Sequence, residues 1–386
     1  MIGTEEDERP RGVGIFRHLR WLTGSRPQLT ALYLAGVVHW LVFFRAGRLS
    51  FSACDWPKEQ FYLSAIRHAF RAHELPYFVA ISSEFARSFP QLQLTSAGAG
   101  QTFCALLSIP ELSTSPQLVL LRWLSPGAFV IVNVLLLYSL GFIGLLGIRA
   151  RYELSGLPFV VLFLLFNFNG HVVAHLAVGH SMWSGYFLMS FFVLYLLKWV
   201  EQPRARSASV QLALVLFGMA LQGAIHLMMA GVVTVALAAA CTVGLRRSGL
   251  FVLALTGLLA AVRALPALIL VWHMPPAHFF GGFATLSDAL AALVSIRGPE
   301  FPAQHGIFGA LGWWEYDTYV GELGALTLGY FGVWQAFKAR HSEVGRRSLL
   351  RVPLLGVAML TLNVVAFPLF ALKVPFLANE RVTSRL

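Results

Sequence analysis

Residues 127–147 read Gly-Ala-Phe-Val-Ile-Val-Asn-Val-Leu-Leu-Leu-Tyr-Ser-Leu-Gly-Phe-Ile-Gly-Leu-Leu-Gly. No charged side chain interrupts this run. As a helix rising about 1.5 Å per residue it is about 30 Å long, which matches the hydrocarbon core of a bilayer. Further apolar runs occupy Leu29–Phe44, Leu157–Phe168, Met182–Leu197, Val210–Ile225, Leu227–Gly244, Leu250–Val271, Val320–Phe337 and Val352–Leu372. The composition agrees, with 57% hydrophobic and 12% charged residues, where soluble domains carry about a quarter charged. The expected fold is therefore all-α, a polytopic membrane protein of about nine transmembrane helices.

A net charge of +11 could point to nucleic acid, but the distribution of the charge argues against it. Arg149 and Arg151, Lys198, Arg204 and Arg206, Arg246 and Arg247, and Lys338 to Arg351 fall in short loops on one side of the runs. The loops on the opposite side, around His171–His180 and His226, contain no Lys or Arg. Basic residues collect on the cytoplasmic side and face anionic lipid, so membrane lipids are the expected partners and nucleic acid is not. Residues 1–28 read as a cytoplasmic segment, and 29–386 as one integral-membrane domain. The N-terminus lacks the apolar region of a cleaved signal peptide, so the first span serves as an anchor. A bacterial inner membrane is the expected location, with Leu386 outside if the number of spans is odd.

Two outer loops are long, 48–117 and 272–319. In the first, Lys58 to His73 is amphipathic, with Phe61, Ile66, Ala69 and Phe70 on one helical face and Arg67, His68 and Arg71 off it. Such a helix lies in the membrane interface, and Thr102–Leu107 reads as a second candidate. Cys54 and Cys104 fall on the same side, where they could pair. No internal repeat is visible, and few charges mark the spans, so a transporter ranks behind the other readings.

Three groups of residues could carry chemistry. Asp55, just before Trp56 and Pro57, either caps a helix or acts as a general base at the membrane surface, with Glu59 one turn on. His171 and His175 are four residues apart and share one helical face, and His180 joins them if the chain turns at Gly179. These histidines could hold a divalent metal, donate hydrogen bonds to a phosphate or sugar, or line a wet crevice. Near the eighth run, Glu315, Asp317 and Tyr319 accompany Trp313 and Trp314, a mixture that suits either a sugar site or an interfacial belt. Glu322 lies just inside the apolar run, where an ionisable group is costly. Arg263, inside the seventh run, is a phosphate candidate with His226 beside it, whereas Arg122 reads as snorkelling to the interface.

The long first loop with its early acid, Asp55-Trp56 … Gln60-Phe61 … Leu75-Pro76-Tyr77, resembles the opening of bacterial members of the GT-C superfamily of polytopic glycosyltransferases. Gly170-His171 … Gly179-His180 and Glu315 … Tyr319-Val320-Gly321 are similar to segments of the same superfamily. The resemblance implies inverting transfer of a sugar from a polyprenyl-phosphate-linked donor to a hydroxyl of a glycan, lipid or protein acceptor. Asp55 would be the base, and the histidines and cations would steady the departing phosphate. No cofactor is required by this reading, since a divalent metal is used by some relatives and dispensed with by others. The chain departs from the superfamily in marking its loop with one acid rather than a pair. It also stops at Glu380–Leu386, an ending that resembles the middle of a longer relative, as a truncated or split chain would. The alternative is a non-catalytic scaffold or lipid-binding assembly factor with the same fold.

Overall fold

Charge-free runs of the length found here satisfy their backbone polar groups within themselves, which in lipid leaves the helix as the workable form. A computed structural model of the chain describes residues 26–45, 51, 54–74, 78–82, 95–97, 101–105, 109 and 111–273. Beyond these it describes only short pieces between 291 and 334. The helices are α1 (Arg26–Arg45), α2 (Trp56–Arg71), α3 (Pro126–Arg151), α4 (Gly156–Asn167), α5 (Gly170–Val178), α6 (Met189–Glu201), α7 (Arg206–Leu221), α8 (Ile225–Cys241), α9 (Arg246–His273) and α10 (Gly321–Thr327). Among the described residues, five stretches are long and apolar enough to cross a membrane: Arg26–Phe44, Pro126–Arg151, Gly156–Val178, Ser181–Glu201 and Val243–Pro266. The expected fifth and sixth spans correspond to shorter apolar helices, Arg206–Leu221 and Ile225–Ala240. Of the eighth span only pieces are described, and the ninth lies outside the described residues.

Contacts at the helix ends sort the bundle into two faces. On one, Arg151 and Tyr152 bond Glu201, and Trp199 donates to Ser248. The basic residues around α3, α6, α7 and α9 gather on this face. On the other lie the N-terminus of α2, the α5 region, the α7–α8 turn and the start of α3. Helix α3 is the central post, packing on α1, on α6 and on the 3₁₀ turn Ser181–Leu188. Close approach to α6 and that turn is set by a small-residue stripe, as is usual where helices meet in membranes. A Cβ on Gly141 would lie 3.0 Å from Phe187, and one on Gly144 would overlap Ser190. Trp40, Trp56, Tyr138, Phe159, Phe163 and Phe187 fill the interior. Leu34, Val38, Leu136, Ile143, Leu258 and Val262 are exposed on the outer surface, as residues facing lipid would be.

The expected amphipathic helix of the first loop is α2. Ile66 and Ala69 are buried, Phe61 and Phe70 half-buried, and His68 and Arg71 exposed. Thr102–Ala105, the described part of the second candidate, is strand rather than helix. Gln101–Ala105 forms β3, the central strand between β1 (Phe78–Ser82) and β2 (Thr95–Ala97), both antiparallel to it. Phe103 pairs with Ala80 on one side and Thr95 on the other. Thr, Phe and Cys in succession favour a pleated strand, and Gly98 and Gly100 in the sequence before them favour a turn. Cys54 is a free, exposed thiol rather than half of a disulfide.

Candidate functional site

The site forms where α2 begins. Pro57 stands in the first turn of α2, but Asp55 before it has φ −86° and ψ −5°, and its side chain makes no capping bond. A capping side chain needs an extended backbone, so the capping expectation is overturned and the carboxylate is left for other partners. The segment is held instead by α5. The Asp55 N–H donates to the Val178 carbonyl at 2.9 Å, and Trp56 Nε1 donates to the Ala177 carbonyl at 3.2 Å. Asn169 starts α5 by accepting from the N–H groups of His171 and Val172.

Gly179 ends α5 at φ +103°, and a Cβ there would sit 2.5 Å from the Trp56 nitrogen. Only glycine allows both the left-handed turn and the backbone approach. The turn brings His180 round to Asp55. Asp55 Oδ2 accepts from His180 Nε2 at 3.1 Å and from Lys58 Nζ at 3.2 Å. Lys58 Nζ also reaches Glu111 Oε2 at 3.2 Å. On the far side of the His180 ring, its Nδ1 lies 2.6 Å from His175 Nδ1. His175 is buried and stacks on Trp183, ring centroids 4.3 Å apart, and His171 meets the His175 ring edge-on at 4.4 Å. The expected shared face of His171 and His175, and the turn that adds His180, are both present.

Protons follow from the partners. The hydrogen bond from His180, with help from the charge of Lys58 and against the effect of burial, holds the Asp55 carboxyl at about 2. An ionised carboxylate only accepts, so His180 Nε2 donates to it. Burial opposes the charge on Lys58, but Glu111 and Asp55 outweigh it and push the ammonium well above its usual range. Burial likewise works against ionised Glu111, and Lys58, with His180 and His226, overcomes it and lowers the carboxyl.

A metal would be held by these donors only after rearrangement. Tetrahedral zinc with bonds of about 2.0–2.1 Å keeps its nitrogens roughly 3.3 Å apart, wider than the 2.6 Å between the two Nδ1 atoms. Asp55 sits on the opposite edge of the His180 ring, and among the described residues no three such side chains converge on one point. The geometry is that of a hydrogen-bonded chain.

The remaining expected residues divide. Glu59 turns inward rather than toward the open carboxylate oxygen of Asp55. It is 2% exposed, on the face of α2 that carries Trp56, Leu63 and Ile66, and it accepts from Ser181 Oγ at 2.5 Å. Arg263 is buried, and its Nη2 donates to the carbonyls of Ile109 and Leu112, so it holds the segment that carries Glu111. His226 stands in the first turn of α8, near enough to Glu111 to lower it. Gly223 at φ +74° lets that turn pass against the Glu111 carbonyl. The Tyr319 carbonyl accepts from the Gly170 N–H at 3.1 Å, which brings the 319–322 segment to the start of α5. Glu322 is exposed in the first turn of α10, and Glu315 and Asp317 lie outside the described residues. Lys58, Glu111, Ser181 and Trp183 were not singled out from the sequence. Of these only Lys58, three residues after Asp55 on a helix, carried a spacing signal.

No family model, curated protein or solved structure matches the chain.

Burial raises the Glu59 carboxyl from 4.5 to about 7, against the Ser181 hydrogen bond and Lys58. The folded protein therefore binds a proton that the unfolded chain has released, and stability falls as pH rises from about 4.5 to about 7. The full effect is roughly 3 kcal/mol. Thermal unfolding in detergent should show Glu59→Gln gaining over the wild type at pH 8 and not at pH 4.5. Equal differences at both pH values would mean that folding does not raise the Glu59 carboxyl.

Proposed function

We propose that the chain is a membrane glycosyltransferase of the GT-C type, with Asp55 as the general base. The observation that carries this reading is the division of labour on one carboxylate. Lys58 and His180 both bond Oδ2, while among the described residues Oδ1 has no hydrogen-bond partner, and the Asp55 side chain is 46% exposed. One oxygen is anchored and the other is presented.

In the proposed reaction an acceptor hydroxyl lies against Oδ1. Its oxygen forms a bond to the anomeric carbon as the bond from that carbon to the phosphate oxygen breaks. The polyprenyl phosphate leaves with the electron pair, the anomeric configuration inverts, and the hydroxyl proton passes to Oδ1. A carboxyl held at about 2 is a weak base, so the proton moves late, when the attacking oxygen has become acidic. His171 and His226 are the candidates to steady the departing phosphate. Tyr319, Glu322, Glu315 and Asp317 are the candidates for sugar hydroxyls. The acceptor is a glycan, lipid or protein. The basic end of the bundle faces the cytoplasm in this reading, which puts Asp55 at the outer surface of a bacterial inner membrane.

The test is release of polyprenyl phosphate from synthetic polyprenyl-phosphate hexoses by the purified protein, with the product anomer read by NMR. His180→Ala should remove the main influence lowering Asp55 and let its carboxyl rise toward its ordinary 3.8. A base must be ionised, so the variant should lose rate as pH falls below about 4.5, where the wild type stays flat. Retention of configuration, or no turnover of any donor by folded protein, would reject the proposal.

A further inference from the structure

The far end of α2 lies roughly 24 Å from Asp55, counting 1.5 Å per helical residue, and carries a second group of polar side chains. The helix closes with the Glu74 N–H on the Ala69 carbonyl at 2.8 Å and the His73 N–H on the Phe70 carbonyl at 3.4 Å. His73 occupies the left-handed position at φ +59°, which glycine usually fills. From there its ring meets Arg122, whose Nη2 approaches His73 Nε2 at 3.4 Å. Arg71 Nε donates to the Arg122 carbonyl at 3.4 Å, and the Arg122 guanidinium lies 6.0 Å from the Trp123 ring centroid. Among the described residues no carboxylate pairs with Arg71 or Arg122, whereas Arg151 at the other end of α3 is paired with Glu201.

The position of the cluster identifies its partner. Ser125 caps α3, so Arg122 and Trp123 stand within one turn of a membrane-spanning helix, at headgroup depth. Trp123 is 66% exposed and Val119 49% exposed, beside two arginines that no carboxylate pairs among the described residues. Planar guanidinium groups bind phosphate through paired donors, and tryptophan sits at the boundary between headgroups and acyl chains. We propose that Arg71, His73, Arg122 and Trp123 form a docking site for the headgroup of an anionic phospholipid. The phosphate lies between the two guanidinium groups, with Trp123 and Val119 against the glycerol and upper acyl chain. The proposal rests on the membrane reading alone and is independent of the transferase.

The full-length protein in neutral detergent would be titrated with phosphatidylglycerol and phosphatidylcholine and followed by native mass spectrometry. Wild type should retain phosphatidylglycerol selectively. The double variant R71Q/R122Q should bind it roughly 10-fold more weakly, with phosphatidylcholine unaffected. Arg246→Gln with Arg247→Gln, the same change of charge at the other end of the bundle, should cost less than half of that loss in fold terms. If the double variant does not fold, Arg122→Gln and His73→Gly take its place, each with a smaller loss. His73→Gly keeps the left-handed turn and removes only the ring. No preference for phosphatidylglycerol, or an equal loss in the Arg246 and Arg247 variant, would overturn the proposal. So would displacement of the lipid by inorganic phosphate at equal concentration, which would mark a site for a soluble anion.

Discussion

Changing Asp55 to Asn should lower the rate of sugar transfer by roughly 10²- to 10⁴-fold, the usual contribution of a positioned general base. The amide keeps an acceptor oxygen for Lys58 and His180 and nearly the same shape, but it cannot take the hydroxyl proton. The fold should be unaffected, because the Asp55 side chain makes no capping bond and the anchor to Val178 runs through the backbone N–H. Lys58 also retains Glu111, so its charge is not stranded. The loss should therefore fall on kcat rather than KM, measured by release of polyprenyl phosphate. A folded Asp55→Asn protein with the wild-type rate would leave the ion network as a structural tie and put the base elsewhere, whereas no turnover by folded wild type would make the non-catalytic scaffold the better reading.

Gly179→Ala should do comparable damage by a different route, through misassembly. The new Cβ would meet the Trp56 nitrogen at 2.5 Å and the Asp55 carbonyl carbon at 2.7 Å, both rigid backbone atoms. The left-handed turn adds about 1–2 kcal/mol for any residue with a side chain, and forced overpacking adds typically 1–3 kcal/mol. The start of α2 must move away from α5, which breaks the Asp55–Val178 bond and parts His180 from Asp55. A drop of several degrees in thermal unfolding together with loss of transfer activity is expected. Gly257→Ala, in α9 with open space around it, is the matched control and should be neutral or stabilising by up to about 1 kcal/mol. If the two variants unfold at the same temperature, the close approach at Gly179 is not needed.

What could be read from the sequence was whatever repeats locally. Apolar runs gave five of the nine expected spans among the described residues, and the pattern from Lys58 to His73 gave α2, since both depend on composition and periodicity along one segment. The burial of Glu59 was also within reach. It is three residues after Trp56, four before Leu63 and seven before Ile66, so any helix that buries those three buries the acid with them. The i, i+4 histidines and the glycine turn were legible as pieces. Their junction with Asp55 was not, because it depends on how closely the backbone at Gly179 passes Trp56, which is a matter of packing. The pairing of Lys58 with Glu111 spans 53 residues and leaves no local trace. Asp55 before Pro57 has the usual composition of a helix cap, yet its φ and ψ are helical, and docking on α5 decided that.

The role of Arg263 places one step in the assembly of this site in time. Its guanidinium bonds a carbonyl 154 residues earlier in the chain, a stretch that takes roughly 8 to 30 s to synthesise at about 5–20 residues per second. Until α9 has been threaded into the membrane, the segment carrying Glu111 lacks its clasp, although Asp55, Lys58 and the histidines already exist. The ribosome thus delivers Asp55, Lys58 and the histidines early and this fastening late, so that the nascent protein holds the Glu111 segment without its arginine until the seventh hydrophobic segment arrives.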